Sequence, residues 1–215
     1  MQAANKPSNQ SHFLGVRIAL LVCLCLLQTA CGDKLQKLDK LAPGDTIVAF
    51  GDSLTYGTGA AETESYPAVL AALIGRPVVR AGVPGETTAE GRERLPQVLA
   101  EHQPKLVLFC LGGNDMLRKL KESETIANQR AMLTLLRERH IAVVLIGVPR
   151  PALLSGMPEY YAQLAGEFKL PYEGKVMQDV LFKSDLKSDA AHPNAEGYRR
   201  IAAAIAGLLK RAGAI

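Results

Sequence analysis

The chain of 215 residues is long enough to close one well-packed core and too short for two comfortable ones. A hydrophobic fraction of 48% against 21% charged residues excludes a disordered chain. The net charge of +4 is spread without a basic stripe and tryptophan is absent, which argues against nucleic-acid binding through clustered Lys/Arg and stacking rings.

In chain order, the first thirty residues stand apart. Lys6 and Arg17 are the only charges before Asp33, and Ile18 to Leu27 is unbroken and apolar. Such a run falls short of the roughly 20 residues that a bilayer span takes, so residues 1–30 read as a secretory signal. Cys31, with Thr29-Ala30 before it and Gly32-Asp33 after it, resembles a bacterial lipobox, whose cysteine is lipidated and becomes the mature N-terminus. Gln28 stands where that motif usually carries an apolar residue. Two rival readings are open: cleavage to a soluble periplasmic protein, and an uncleaved anchor using Phe13 to Ala30. Cys23 and Cys25 lie in the apolar run and Cys110 in a strand-like one, so no disulfide framework is expected. Residues 31–44 are charged, lack a strong pattern, and read as a tether.

From residue 45 to 215, apolar runs alternate with amphipathic stretches. Strand candidates are Thr46 to Phe50, Val78 to Ala81, Leu106 to Leu111 and Ile141 to Val148, with a short fifth near Leu170 to Tyr172. They lack the alternation of a half-wet sheet, which suits parallel strands covered on both faces. Helix candidates are Tyr66 to Ile74, Thr88 to His102, Ser123 to Arg139 and Asn194 to Ala212. Strand and helix in turn, with short connections, make a doubly wound α/β domain. Pro149 to Pro158 is the one long loop-like insertion, and Leu153, Leu154 and Met157 in it are candidates to line an apolar slot.

Sites in such a sheet collect at the carboxyl ends of the strands. Ser53 in Gly51-Asp52-Ser53-Leu54, Gly85 in Gly82-Val83-Pro84-Gly85, and Asn114 in Gly112-Gly113-Asn114-Asp115 each closely follow a strand candidate. Thr55 breaks the G-x-S-x-G pattern, so the nucleophile elbow of α/β-hydrolases is not supported, and Ser53 taken alone reads as a helix N-cap. A serine nucleophile needs a base. Of four histidines, His12 belongs to the signal, and His102 and His140 sit at ends of polar helices. That leaves His192, with Asp189 three residues earlier to orient it and Asp185 and Asp115 as weaker candidates. The backbone N–H groups of Ser53 and Gly85 and the Asn114 amide supply donors for an oxyanion.

With these residues in order, the chain resembles the SGNH hydrolases of the GDSL esterase/lipase family, and within them the thioesterase I/lysophospholipase and arylesterase branch. The resemblance runs from about Asp45 to the C-terminus and includes Glu90-Gly91-Arg92-Glu93-Arg94-Leu95-Pro96 and His102-Gln103-Pro104. It implies a three-layer α/β/α, flavodoxin-like domain without cofactor or metal. Ser53 is then the nucleophile, His192 the base and Asp189 its partner, with Ser53, Gly85 and Asn114 forming the oxyanion hole. The expected reaction is hydrolysis of a fatty-acyl or aryl ester, lysophospholipid or acyl thioester through an acyl-enzyme, on the periplasmic side of a bacterial envelope. The alternatives are a carbohydrate O-acetylesterase, an acyltransferase using the same intermediate, and a non-catalytic binding lipoprotein. Oligomeric state is not legible.

Overall fold

Five short strands, β1 (Ile47–Gly51), β2 (Val78–Gly82), β3 (Leu106–Cys110), β4 (Ala142–Ile146) and β5 (Tyr172–Glu173), form one sheet in the order β2-β1-β3-β4-β5. Every neighbouring pair is parallel. These features come from a computed structural model that describes residues 35–151 and 156–215. The signal and lipobox readings on residues 1–31 fall outside that range, as do Leu153 and Leu154. Every residue of the central strands β1 and β3 is buried, because helices cover both faces. That is why their sequences are continuous apolar runs.

The helices are α1 (Ser53–Tyr56), α2 (Tyr66–Ile74), α3 (Thr88–His102), α4 (Gly113–Leu117), α5 (Glu122–Glu138), α6 (Glu159–Phe168), α7 (Val176–Leu181) and α8 (Ala195–Ala212). One layer joins α2, α7 and α8; the other joins α3, α5 and α6. The expected three-layer flavodoxin-like architecture is therefore present, and its strand order reverses between β1 and β3. Four helices go beyond the expected set: the short α1 and α4 at the loops after β1 and β3, and α6 and α7. Helix α6 has an apolar face of Tyr160, Tyr161, Leu164 and Ala165, and α7 has only six residues, too few to show a period. The fifth strand is as short as its text, two residues paired with Leu145 and Ile146.

Leu35 to Ile215 form one compact unit that closes its own core. Among the described residues no helix is long and apolar enough to cross a membrane. The lead-in segment is docked: Leu38 and Leu41 donate backbone N–H groups to Ala212 and Ala214 at the end of α8 (3.0 and 2.9 Å). The start of α8 is capped by Asn194, whose Oδ1 accepts from the Gly197 N–H at 3.0 Å. Its Nδ2 reaches the carbonyl oxygens of Asp185 (2.9 Å) and Lys187 (3.4 Å), tying the preceding loop to the helix. Asn194→Ala removes both functions. Thermal unfolding should report a loss of about 1–2 kcal/mol and a Tm lower by roughly 2–6 °C; an unchanged Tm would show that water replaces the cap without cost.

Candidate active site

Chain direction brings the site together. All strands run the same way, so the loops after β1, β2 and β3 emerge on one edge, at the switch point between β1 and β3. Gly51 ends β1 where a Cβ would overlap the carbonyl oxygen of Cys110 on β3, so only glycine lets the strands stay this close. Asp52, rather than Ser53, caps α1, its Oδ1 accepting from the Leu54 N–H at 3.0 Å. Ser53 thereby becomes the first residue of α1, its hydroxyl uncommitted to the cap.

His192 Nε2 lies 3.0 Å from Ser53 Oγ, across 139 residues of sequence. Its Nδ1 is 2.8 Å from Asp189 Oδ2. Asp189 Oδ1 also accepts the backbone N–H groups of Ala191 (2.7 Å) and His192 (2.9 Å). These bonds, the one from Ala191 first and the one from the imidazole next, hold the Asp189 carboxyl below its ordinary pKa. An ionised carboxylate only accepts hydrogen bonds, so Nδ1 carries the ring proton and Nε2 offers its lone pair to the Ser53 hydroxyl. The loop is closed on itself by Ser188 N–H donating to the His192 carbonyl (3.0 Å). Asp185 and Asp115 do not approach the imidazole in this way. Asp185 is exposed, and Asp115 is buried where it accepts from Thr88 N–H (2.9 Å) and Thr125 Oγ1 (3.2 Å), pinning α4 to the start of α3.

Gly85 has φ +81°, in the region that favours glycine, and sits beside Ser53 and Asn114 in the wall of the same cleft. Asn114 Nδ2 donates to the carbonyl of Glu86 at 3.0 Å and more weakly to Asp52 Oδ2 at 3.3 Å. Both amide hydrogens thus have an acceptor, the contact with Asp52 Oδ2 being the weaker of the two. The loop before Asn114 is held from behind, where Gln129 Nε2 and Tyr161 O–H both donate to the Leu111 carbonyl (3.0 and 2.9 Å).

Arg94 was legible only as part of the family-like text around it. Its guanidinium pairs with both oxygens of the buried Glu86 carboxylate, Nη2 lying 2.6 Å from Oε2. Nη2 also donates to the carbonyl of Ala81 near the end of β2 (3.1 Å), and the group lies 4.4 Å from the Phe50 ring. Arg118, at the end of α4, donates to the Gly85 carbonyl at 2.7 Å. The loop carrying Gly85 and Glu86 is therefore gripped by two arginines.

Burial dominates at Asp52. It pushes the carboxyl from its ordinary 3.8 up to about 7, against the Leu54 N–H that favours the anion, and the negative Glu86 adds to the rise. Cys110 is a buried free thiol, pushed well above the ordinary range by burial. Among the described residues no group of three His, Cys, Asp or Glu side chains is placed to hold a metal ion.

The cleft encloses about 570 Å³. Its walls include Leu54, Leu117, Val148, Pro149, Leu181 and Phe182, with Arg150 and Lys187 at the polar margin. Of the three residues expected to form an apolar slot, Met157 instead packs against the core, at Gly147. A serine hydroxyl polarised by an imidazole, amide donors beside it and an apolar channel in front can attack an acyl carbonyl and stabilise the resulting charge.

The profile of the family described as GDSL-like Lipase/Acylhydrolase matches residues 49–200. The chain is 32% identical over 171 residues to the thioesterase 1/protease 1/lysophospholipase L1 of Escherichia coli (strain K12), with 76% of this chain and 82% of that one covered. It is 28% identical over 179 residues to the arylesterase of Vibrio mimicus, with 75% and 86% covered. The crystal structure of TesA matches with a TM-score of 0.70 at 28% identity, over 78% of this chain and 99% of that one.

Two predictions follow from the buried charges. Removing Arg94 alone would strand the Glu86 carboxylate, so the informative variant is the pair Arg94→Met with Glu86→Met, which keeps volume without a buried charge. Steady-state kinetics should show kcat lower by on the order of 10–10²-fold with little change in Tm; wild-type kcat would mean that the pair serves folding alone. For Asp52, the folded state binds the proton more tightly than the unfolded chain, so its contribution is full below the ordinary 3.8 and is lost as pH rises through about 7. Urea unfolding should find Asp52→Asn more stable relative to wild type at pH 8 than at pH 4.5, by on the order of 2–4 kcal/mol. An equal difference at the two pH values would refute this.

Proposed function

The chain belongs to the GDSL-like lipase/acylhydrolase family and is an ester hydrolase, and from that premise we propose that it works through an acyl-enzyme on Ser53. The carrying observation is the unbroken line Ser53 Oγ, His192 Nε2, His192 Nδ1, Asp189 Oδ2, with separations of 3.0 and 2.8 Å at its two hydrogen bonds. As Ser53 Oγ attacks the ester carbonyl, its proton passes to His192, and the ionised Asp189 stabilises the imidazolium. The oxyanion takes hydrogen bonds from the N–H groups of Ser53 and Gly85 and from the Asn114 amide, which gives up its weaker contact with Asp52 Oδ2 to do so. Collapse of the tetrahedral species expels the alcohol or thiol, which takes the proton from His192. Water then repeats the sequence and releases the acid.

The apolar walls of the cleft favour a fatty-acyl or aryl ester. Lysophospholipids, acyl thioesters and aryl esters, after which its relatives are called, are the substrate classes we propose. We further propose that the chain acts in a bacterial envelope, held there through a lipidated Cys31.

Hydrolysis of p-nitrophenyl esters from C2 to C16 by residues 35–215, beside its Ser53→Ala variant, tests the mechanism. The variant should lose on the order of 10³-fold or more in kcat, and the intact enzyme should prefer C6 and longer. Activity surviving in the variant would remove Ser53 from its role. A maximum at C2 would favour the O-acetylesterase reading.

A further inference from the structure

A second groove lies against the loop that carries Gly85. It holds about 540 Å³, and its polar lining comes from Glu86, Glu90, Glu93, Arg94, Gln97 and Arg118. Pro84 and Gly85 line both this groove and the cleft, so their loop is the ridge between the two. Glu90, Glu93, Arg94 and Gln97 fall at i, i+3, i+4 and i+7 of α3 and share one face of that helix. Glu86 and Arg94 cancel in their paired contact. Glu90, Glu93 and Arg118 remain, two negative charges against one positive. The Arg118 side chain is 51% exposed; its Nη2 donates to the Gly85 carbonyl at 2.7 Å and its Nη1 lies 4.0 Å from Glu90 Oε2. Hydrogen bonds from Thr87, the backbone N–H first, hold the Glu90 carboxyl below its ordinary pKa, so it stays anionic. Glu93 is exposed and, among the described residues, has no ion-pair partner. The acyl-enzyme chemistry uses neither of these two carboxylates.

We propose that this groove receives the head group of a zwitterionic lysophospholipid whose acyl chain lies in the cleft, with the phosphate on Arg118 and the ammonium between Glu90 and Glu93. The proposal deepens the acyl-enzyme reading of the cleft and rests on it. In that reading the Gly85 N–H meets the oxyanion. A residue spans at most about 3.6 Å from its N to its O, which puts Arg118 Nη2 within roughly 6.5 Å of the Gly85 nitrogen. In a 1-acyl lysophospholipid five bonds run from the ester oxygen to phosphorus, roughly 6 Å when extended. The phosphate therefore reaches the guanidinium while the carbonyl is held at the serine. Charge decides which head group fits. A phosphate alone on Arg118 would also face Glu90 and Glu93, and like charges this close repel. A cation carried one short arm beyond the phosphate turns that repulsion into attraction, so one ligand answers both signs of the groove. The same carboxylates reject a head group that is only anionic. An aryl ester has no charge to place there.

The test uses residues 35–215, the unit that closes its own core. Three esters of one twelve-carbon acid are supplied below their micelle concentrations. Lysophosphatidylcholine carries both charges, lysophosphatidylglycerol the same phosphodiester without the cation, and monolauroylglycerol neither. Dividing each kcat/KM by that for the glycerol ester cancels any effect of a variant on the loop or the chemistry. The wild type should favour lysophosphatidylcholine over lysophosphatidylglycerol by about threefold or more. Arg118→Gln and Glu93→Gln should each lower the lysophosphatidylcholine ratio by about threefold to fivefold, mostly through KM. Glu93→Lys should reverse the order of the two phospholipids. Ratios unchanged in all three variants would overturn the proposal, as would a wild type that cleaves both phospholipids equally well. Hydrolysis of p-nitrophenyl laurate with none of the three lipids cleaved would overturn the proposal alone. No hydrolysis of any of these esters would remove the acyl-enzyme reading, and the proposal with it.

Discussion

The site depends on three separate loops staying in register at one edge of the sheet, and the Arg94–Glu86 pair is the interaction that holds two of them there. Glu86 carries one half of the arrangement on its backbone, where its carbonyl anchors the Asn114 amide, and the other half on its side chain, which binds Arg94. Arg94 in turn reaches the Ala81 carbonyl near the end of β2 and stacks over Phe50 at the end of β1. A doubly hydrogen-bonded guanidinium–carboxylate pair whose carboxylate is buried is rigid, because the arginine cannot leave without stranding that charge. Such a pair adds little net stability over apolar residues of the same size. Its physical value here is orientation, which is what a preorganised oxyanion site requires.

The same low-dielectric pocket sets the character of Asp52. Capping α1 with this carboxyl frees the Ser53 hydroxyl for His192, but it buries an acid next to Glu86. Burial outweighs the helix N-terminus, and the group reaches neutrality about half-way through the physiological range. Asp189 shows the opposite outcome on the other side of Ser53 and His192. It is exposed, takes backbone N–H groups on one oxygen and faces the imidazole, so it stays ionised to low pH. Two carboxyls flank one serine, and their surroundings assign them different protonation states.

The Ser53–His192 contact and the docked lead-in segment lie at the two ends of α8. Its start is tied to the histidine loop through Asn194 and to the β1 side through Tyr198, whose hydroxyl donates to the Thr58 carbonyl at 2.8 Å. Its end receives the lead-in segment. One long helix thus sets the position of His192 at one end and holds the lead-in segment at the other.

The sequence by itself determined the sheet, its parallel sense and which residues gather at one edge of it. Buried parallel strands must be continuous apolar runs, and a site at their carboxyl ends must follow those runs closely, so Ser53, Gly85 and Asn114 were legible from local text. His192 was reached by elimination among four histidines and Asp189 by its spacing. The tertiary structure alone decided what depends on contacts far apart in sequence. It made Asp52 rather than Ser53 the cap, turned Asp115 into a pin for α3, and placed Met157 in the core rather than in the cleft. It also made Arg94 a brace and docked the lead-in segment at the end of α8. Periodicity records which face of an element is buried, but a hydrogen bond spanning 139 residues exists only once the sheet has brought its two ends together.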